Sequence, residues 1–146
     1  MNDAGVHVGS VGDSRAILGT IPDNPDEVPK FKPPEPDEVF KRNILPTRLL
    51  NAIPLTVDQK PNHQEELERI RKCGGRVQRL TDERGNKIGP YRVWKRNSNL
   101  PGLAMSRSIG DGIASEIGVI ATPIFNSFDL DLERDQFIVI GSDGVW

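Results

Sequence analysis

The sequence predicts an α+β fold, and three observations predict it. Short apolar runs, each ended by a glycine-rich turn, recur along the chain. One stretch has complete helical punctuation. Near the end a four-residue apolar run, Phe137-Ile138-Val139-Ile140, breaks at Gly141-Ser142-Asp143-Gly144.

Taken in order, Val6 to Val11 reads as a strand, Gly12-Asp13-Ser14 as a turn, and Ala16-Ile17-Leu18 as the next apolar run. The simplest arrangement is a β-hairpin with Asp13 at its tip. From residue 20 to 54 the composition changes: prolines fall at 22, 25, 29, 33, 34, 36 and 46 with acidic residues between them. Proline removes backbone donors and favours extended chain, so this stretch is expected to be an acidic surface loop inserted in the domain. Val39 to Ala52 has room for a short helix or an edge strand.

Pro61 to Gly75 is the clearest helix. Asn62 is placed as N-cap with Glu65 three residues on, as in a capping box. Glu65–Arg69 and Glu68–Lys72 are i,i+4 pairs in the favourable order. Leu67 and Ile70 share a face, and Gly74-Gly75 ends the helix because glycine accepts the left-handed conformation. A strand follows from Val77 and stops before Thr81, Asp82 to Asn86 is a polar turn, and Tyr91 to Trp94 is a further strand. Leu103 to Asp111 reads as strand then turn. The run at Phe137–Ile140 is expected to be a buried central strand that delivers Asp143 to its carboxyl end.

Composition excludes several function classes. The net charge is only −2, with no basic stripe of the kind nucleic acid needs. Mean hydropathy is −0.46 and no apolar run approaches the ~18 residues of a membrane span. The first residues lack the charged and apolar regions of a secretory signal. A single cysteine, Cys73, cannot staple the chain, which suits a reducing compartment, and an intracellular location in cytoplasm or nucleus is expected. With one cysteine and two histidines, a Cys/His zinc site is not expected. A bound metal would take carboxylates and carbonyls, which suit Mg²⁺ or Mn²⁺.

Three aspartates carry the chemical argument. Asp13, Asp111 and Asp143 each flank a glycine at the end of an apolar segment. Converging carboxylates repel, by about 4 kcal/mol per pair at ~4 Å and an effective dielectric of ~20, and a divalent cation removes that cost. Singly, each is also an ordinary turn dipeptide. Arg15 and Arg107 are read as structural partners that orient Asp13 and Asp111, with phosphate binding as the other option. His7 is read as packed, His63 as solvated, and Cys73 as a small buried residue.

The segments VGSVGDSRAIL, LTVDQKPNHQEELERIRKCGGRV, RVW, PGLAMSRSIGD, GVIATP and DQFIVIGSDGVW resemble, in order, blocks of the type 2C (PPM) family of metal-dependent serine/threonine protein phosphatases. The resemblance covers nearly the whole chain outside the proline-rich stretch. It implies a partial α-β-β-α sandwich of antiparallel sheets with flanking helices. Residues 1–146 would then be an internal piece of the catalytic domain, truncated at both ends. By this resemblance Asp143 ligates the central metal site, Asp13 a third, looser metal, and Asp111 stands beside that third site. Residues 112–118 correspond to a short flap bordering the substrate groove. The implied reaction is attack of a metal-activated water on phosphoserine or phosphothreonine of a phosphorylated protein, with two or three Mg²⁺ or Mn²⁺ ions. The family's Asp-Gly-His-Gly motif and its phosphate-binding arginine would lie before Met1 and a last metal aspartate after Trp146, so no catalytic residue beyond the metal ligands is expected here. The competing expectation is a non-catalytic, phosphatase-like binding or regulatory module. Substrate, pathway and oligomeric state are not legible.

Overall fold

The computed structural model describes residues 4–23 and 50–146. Most of the proline-rich stretch therefore lies outside the described residues, as does the choice between helix and strand for 39–49. At its margins Thr20 still belongs to a strand, and 51–54 form a short edge strand.

Among the described residues three antiparallel sheets organise the chain. The first pairs β1 (Gly5–Ser10) with β7 (Ile124–Asp129); the second runs β3 (Asn51–Pro54), β2 (Arg15–Thr20), β8 (Asp135–Gly141); the third runs β4 (Gly75–Thr81), β5 (Lys87–Lys95), β6 (Pro101–Leu103). The period-2 rule decides what each strand buries. In β1, Val6 and Val8 alternate with the exposed Gly5, His7 and Gly9, and in β7 Ile124, Asn126 and Phe128 alternate with exposed neighbours. Val8, Phe128 and Leu130 meet Ala16, Leu18 and Leu55 in one core, which joins the first sheet to the second face to face.

The expected hairpin around Asp13 does not form. β1 pairs with β7 and β2 with β3 and β8, so the turn at 11–14 carries the chain from one sheet to the other. The reason lies in β2: its residues 16 and 18–20 are all buried, as in a strand with neighbours on both sides. β2 is the central strand. β8, expected to be buried and central, is an edge strand among the described residues, with Phe137, Ile138 and Ile140 exposed.

The second core gathers Ile70, Val93, Ala114, Ile117 and Val119, with Val77 and Leu103 against it. It lies between the third sheet, helix α1 (Gln64–Lys72) and the single turn α2 (Gly112–Ser115). The helix is shorter than 61–75 and its N-cap is His63, not Asn62, with no side-chain cap bond. Gly74 takes φ 81° and ends it as expected. The expected i,i+4 pairs do not form: Arg69 turns to Glu66 instead, which is buried and offers a better-desolvated partner. Cys73 caps the helix C-terminus and is exposed rather than buried. His7 is likewise exposed, its Nδ1 2.8 Å from Ser127 Oγ. Arg76 stacks 5.5 Å from the ring centre of Trp94 in the third sheet. Among the described residues no helix is long and apolar enough to cross a membrane.

Candidate metal-binding rim

The site is built from three segments: the turn 10–14 between sheets, the segment 56–60 after β3, and the chain 104–111 after β6. Arg15 and Gly141 form the last facing pair of the β2–β8 ladder. Asp13 precedes Arg15 by two residues and Asp143 follows Gly141 by two, so both aspartates leave the same end of that pair. Asp143 sits in a turn closed by Val145 N–H to Ser142 O at 2.9 Å; its side chain is exposed, with no hydrogen bond to another described residue. The Trp146 indole donates to Gly141 O at 2.6 Å on the same turn.

Asp13 is paired with the ammonium of Lys60, which also lies 3.6 Å from Asp58 Oδ2. Arg15 does not orient Asp13. Its guanidinium forks onto Asp58, Nε to Oδ1 at 2.8 Å and Nη2 to Oδ2 at 2.9 Å. The planar fork matches two carboxylate oxygens, and Asp58 rather than Asp13 offers both in reach. That hydrogen bond from Arg15 holds the Asp58 carboxyl below its usual range, against partial burial, with Lys60 adding to the effect.

Asp111 stands on the third segment. It adopts φ 52°, ψ 54° at the start of α2, and Ser108 Oγ donates to its Oδ2 at 2.6 Å. Asp111 tolerates this left-handed conformation better than a branched residue would. Arg107 does not orient it. Its guanidinium meets Glu66 (Nη2 to Oε1, 2.8 Å) and donates to Thr122 O at 2.9 Å. Arg69 completes this buried cluster, reaching Glu66 and also Ser106 O at 2.9 Å and Gly118 O at 2.8 Å. Burial pushes the Glu66 carboxyl up, but the hydrogen bonds from Arg69 and Arg107 outweigh it and hold it at about 2. Arg15 and Arg107 thus pair with Asp58 and Glu66 rather than with the aspartates beside them in sequence.

Gln59 is the residue the sequence reading passed over. It is 1% exposed. Its side-chain Oε1 accepts from Gly12 N–H at 2.5 Å and its Nε2 donates to Ser10 O at 2.9 Å. Its main chain donates to Gly12 O at 3.0 Å and accepts from Ser106 N–H at 2.8 Å. An uncharged amide between Asp58 and Lys60 gave no local signal; only its place in the block LTVDQKP marks it.

The donor chemistry fits a hard divalent cation in part. Two carboxylates leave one sheet end, and one already draws an ammonium as counter-charge. Among the described residues, however, no three His, Cys, Asp or Glu side chains gather into a metal-holding group. Asp13, Asp111 and Asp143 therefore do not make a cage by themselves.

The comparisons agree with one another. The family model described as "Protein phosphatase 2C" matches residues 43–146. The chain is 40% identical over 141 residues to "Probable protein phosphatase 2C 1" of Arabidopsis thaliana, covering 97% of this chain and 24% of that protein. It is 40% identical over 139 residues to "Probable protein phosphatase 2C 48" of Oryza sativa subsp. japonica, covering 95% and 33%. The fold matches the crystal structure of serine-threonine phosphatase 2C from Toxoplasma gondii with a TM-score of 0.68 at 23% identity, covering 97% of this chain and 38% of that one. The chain thus spans about a quarter to a third of the length of these curated relatives.

Proposed function

Because this chain belongs to the protein phosphatase 2C family, we propose that it forms part of a catalytic domain that hydrolyses phosphoserine and phosphothreonine in proteins. The observation that carries the reading to particular residues is the shared exit of Asp13 and Asp143 from one end of the β2–β8 pair.

In this reading the cations are Mg²⁺ or Mn²⁺, and when bound they supply a water of lowered pKa and neutralise charge on the transferring phosphoryl group. Asp143, exposed at the carboxyl end of β8, offers a carboxylate to the central site. Asp13 offers one to a looser site, where Lys60 competes for it. Asp111, which accepts from Ser108 on the third segment, is assigned beside that looser site by the family resemblance. In the overall reaction a water oxygen bonds to phosphorus, the bond from phosphorus to the side-chain oxygen breaks, and that oxygen takes up a proton. The substrates are phosphorylated proteins.

The test is hydrolysis of a phosphoserine peptide by the native full-length protein with Mg²⁺ or Mn²⁺, against an EDTA control. Metal-dependent release of phosphate, lost in Asp143→Asn, is the expected result. The 146 residues alone are expected to release none, since their described acidic side chains do not complete a metal-holding group. Absence of any metal-dependent hydrolysis by the full-length protein would overturn the reading.

A further inference from the structure

β1 and β2 lie in different sheets, so the turn between them has no hairpin ladder to hold it. Gly12, at its centre, adopts φ 102°, a conformation with no neighbouring strand to lock it. Asp13 follows directly. A carboxylate on so unsupported a turn would wander, and a cation site tolerates little wandering. Something else must supply the missing backbone partners.

We propose that Gln59 is a positioning residue that holds the Asp13 turn and the Asp111 segment in one register and thereby sets how tightly the Asp13 site binds a divalent cation. This rests on the phosphatase reading for the identity of the cation site, but the geometry is independent of it. The primary amide of Gln59 presents one acceptor and one donor, and it uses both on the turn: Oε1 on Gly12 N–H, Nε2 on Ser10 O. A peptide group of a neighbouring strand would offer the same pair, so the side chain stands in for the absent ladder. The main chain of Gln59 then grips Gly12 O on one side and Ser106 N–H on the other. Ser106 belongs to the segment that runs past Gly12, where a side chain added at Gly12 would meet Met105 Sδ at 3.2 Å, and that leads on to Asp111. One buried residue therefore touches both strands of chain on which the aspartates depend.

The chemistry is specific to glutamine among simple replacements. Glutamate keeps the acceptor but sets a lone pair against Ser10 O. Leucine keeps the volume and removes both partners, leaving Gly12 N–H and Ser10 O unpaired in a buried place.

The experiment uses the native full-length protein and its Gln59→Leu, Gln59→Glu, Asp13→Asn and Val93→Ala variants. Val93→Ala serves as a stability control, because Val93 is fully buried in the core of the third sheet. Mn²⁺ binding is read by electron paramagnetic resonance, and Tm by circular dichroism. Gln59→Leu is expected to weaken the loosest Mn²⁺ site roughly tenfold, the effect of losing one or two buried hydrogen bonds. Val93→Ala is expected to lower Tm at least as much and leave Mn²⁺ binding unchanged. In an Asp13→Asn background, Gln59→Leu should weaken Mn²⁺ binding no further, because its effect acts through Asp13. If Gln59→Leu does not fold, Gln59→Glu carries the same comparison. A Gln59 variant that loses Tm without moving Mn²⁺ binding, or a full effect in the Asp13→Asn background, would overturn the proposal. So would a wild-type protein that binds no Mn²⁺. Mn²⁺ binding without phosphate release would instead sink the phosphatase reading while leaving the role of Gln59 decided by the same binding data.

Discussion

Asp13 and Asp143, 130 positions apart in the sequence, each stand two residues beyond Arg15 and Gly141, the terminal pair of the β2–β8 ladder. Extending that antiparallel register would set them opposite one another. The two carboxylates differ in their surroundings: Asp13 carries the ammonium of Lys60, whereas Asp143 is open to solvent.

That difference predicts unequal effects of neutralising them in the full-length protein. With Asp143 as the proposed ligand of the central cation, Asp143→Asn is expected to cut turnover roughly a hundredfold or more. Asp13→Asn should cost less at saturating metal and raise the half-saturating metal concentration. Phosphate release against Mn²⁺ concentration separates the two.

Lys60→Gln should act in the opposite direction to Asp13→Asn. On the proposed reading the ammonium would compete with a cation for Asp13; it is about a third exposed, so the pair contributes at most about 1 kcal/mol. Its removal is expected to lower the half-saturating metal concentration by up to about fivefold. A rise, or no shift at low ionic strength, would count against competition at Asp13.

Glu66 makes stability sensitive to acid. Its folded pKa is about 2 against an ordinary 4.5, so its contribution is fully present above pH 4.5 and is lost as pH falls toward 2. Glu66→Gln is expected to cost about 3 kcal/mol near neutral pH, because a neutral amide leaves Arg69 and Arg107 without the carboxylate they share. The variant's Tm should also fall less steeply than wild type between those pH values. A parallel pair of curves would show that Glu66 is not the titrating group.

Gly118 packs the end of segment 112–118 against helix α1. It adopts φ 93°, and an added Cβ would lie 3.0 Å from Ile70 Cα and 3.2 Å from Arg69 O. Gly118→Ala is expected to destabilise by about 2–3 kcal/mol, from strained backbone and backbone contacts that cannot yield. Chemical denaturation measures this directly.

The parts of this architecture legible in the sequence are those with local causes. The helix around Leu67–Ile70, its stop at Gly74 and the turn at Asp82–Asn86 follow from glycine conformation and short-range hydrogen bonds. What a strand pairs with has no local cause. Residues 6–18 read equally well as a hairpin, and only the pairing of β2 with both β3 and β8, while β1 pairs with β7, separates the two strands. The Phe137–Ile140 run shows the converse error, since apolar composition cannot tell a central strand from an edge strand. Arginine partners fail for the same reason: nearness in sequence pointed Arg15 to Asp13 and Arg107 to Asp111, while folding brings Asp58 and Glu66. The aspartates stand out in the sequence because their glycine neighbours are a local signature. Gln59 does not, because a neutral amide becomes informative only when its partners are known.

Trp94 and Trp146 are the two tryptophans in these 146 residues. One indole lies under Arg76 on the third sheet, and the other is hydrogen-bonded to Gly141 beside the Asp143 turn. One optical probe thus stands beside the Asp143 turn and a second on the third sheet. With Trp94 replaced by phenylalanine in these 146 residues, emission from Trp146 would report ordering or loosening of the Gly141–Gly144 turn, with no dye attached and no substrate present.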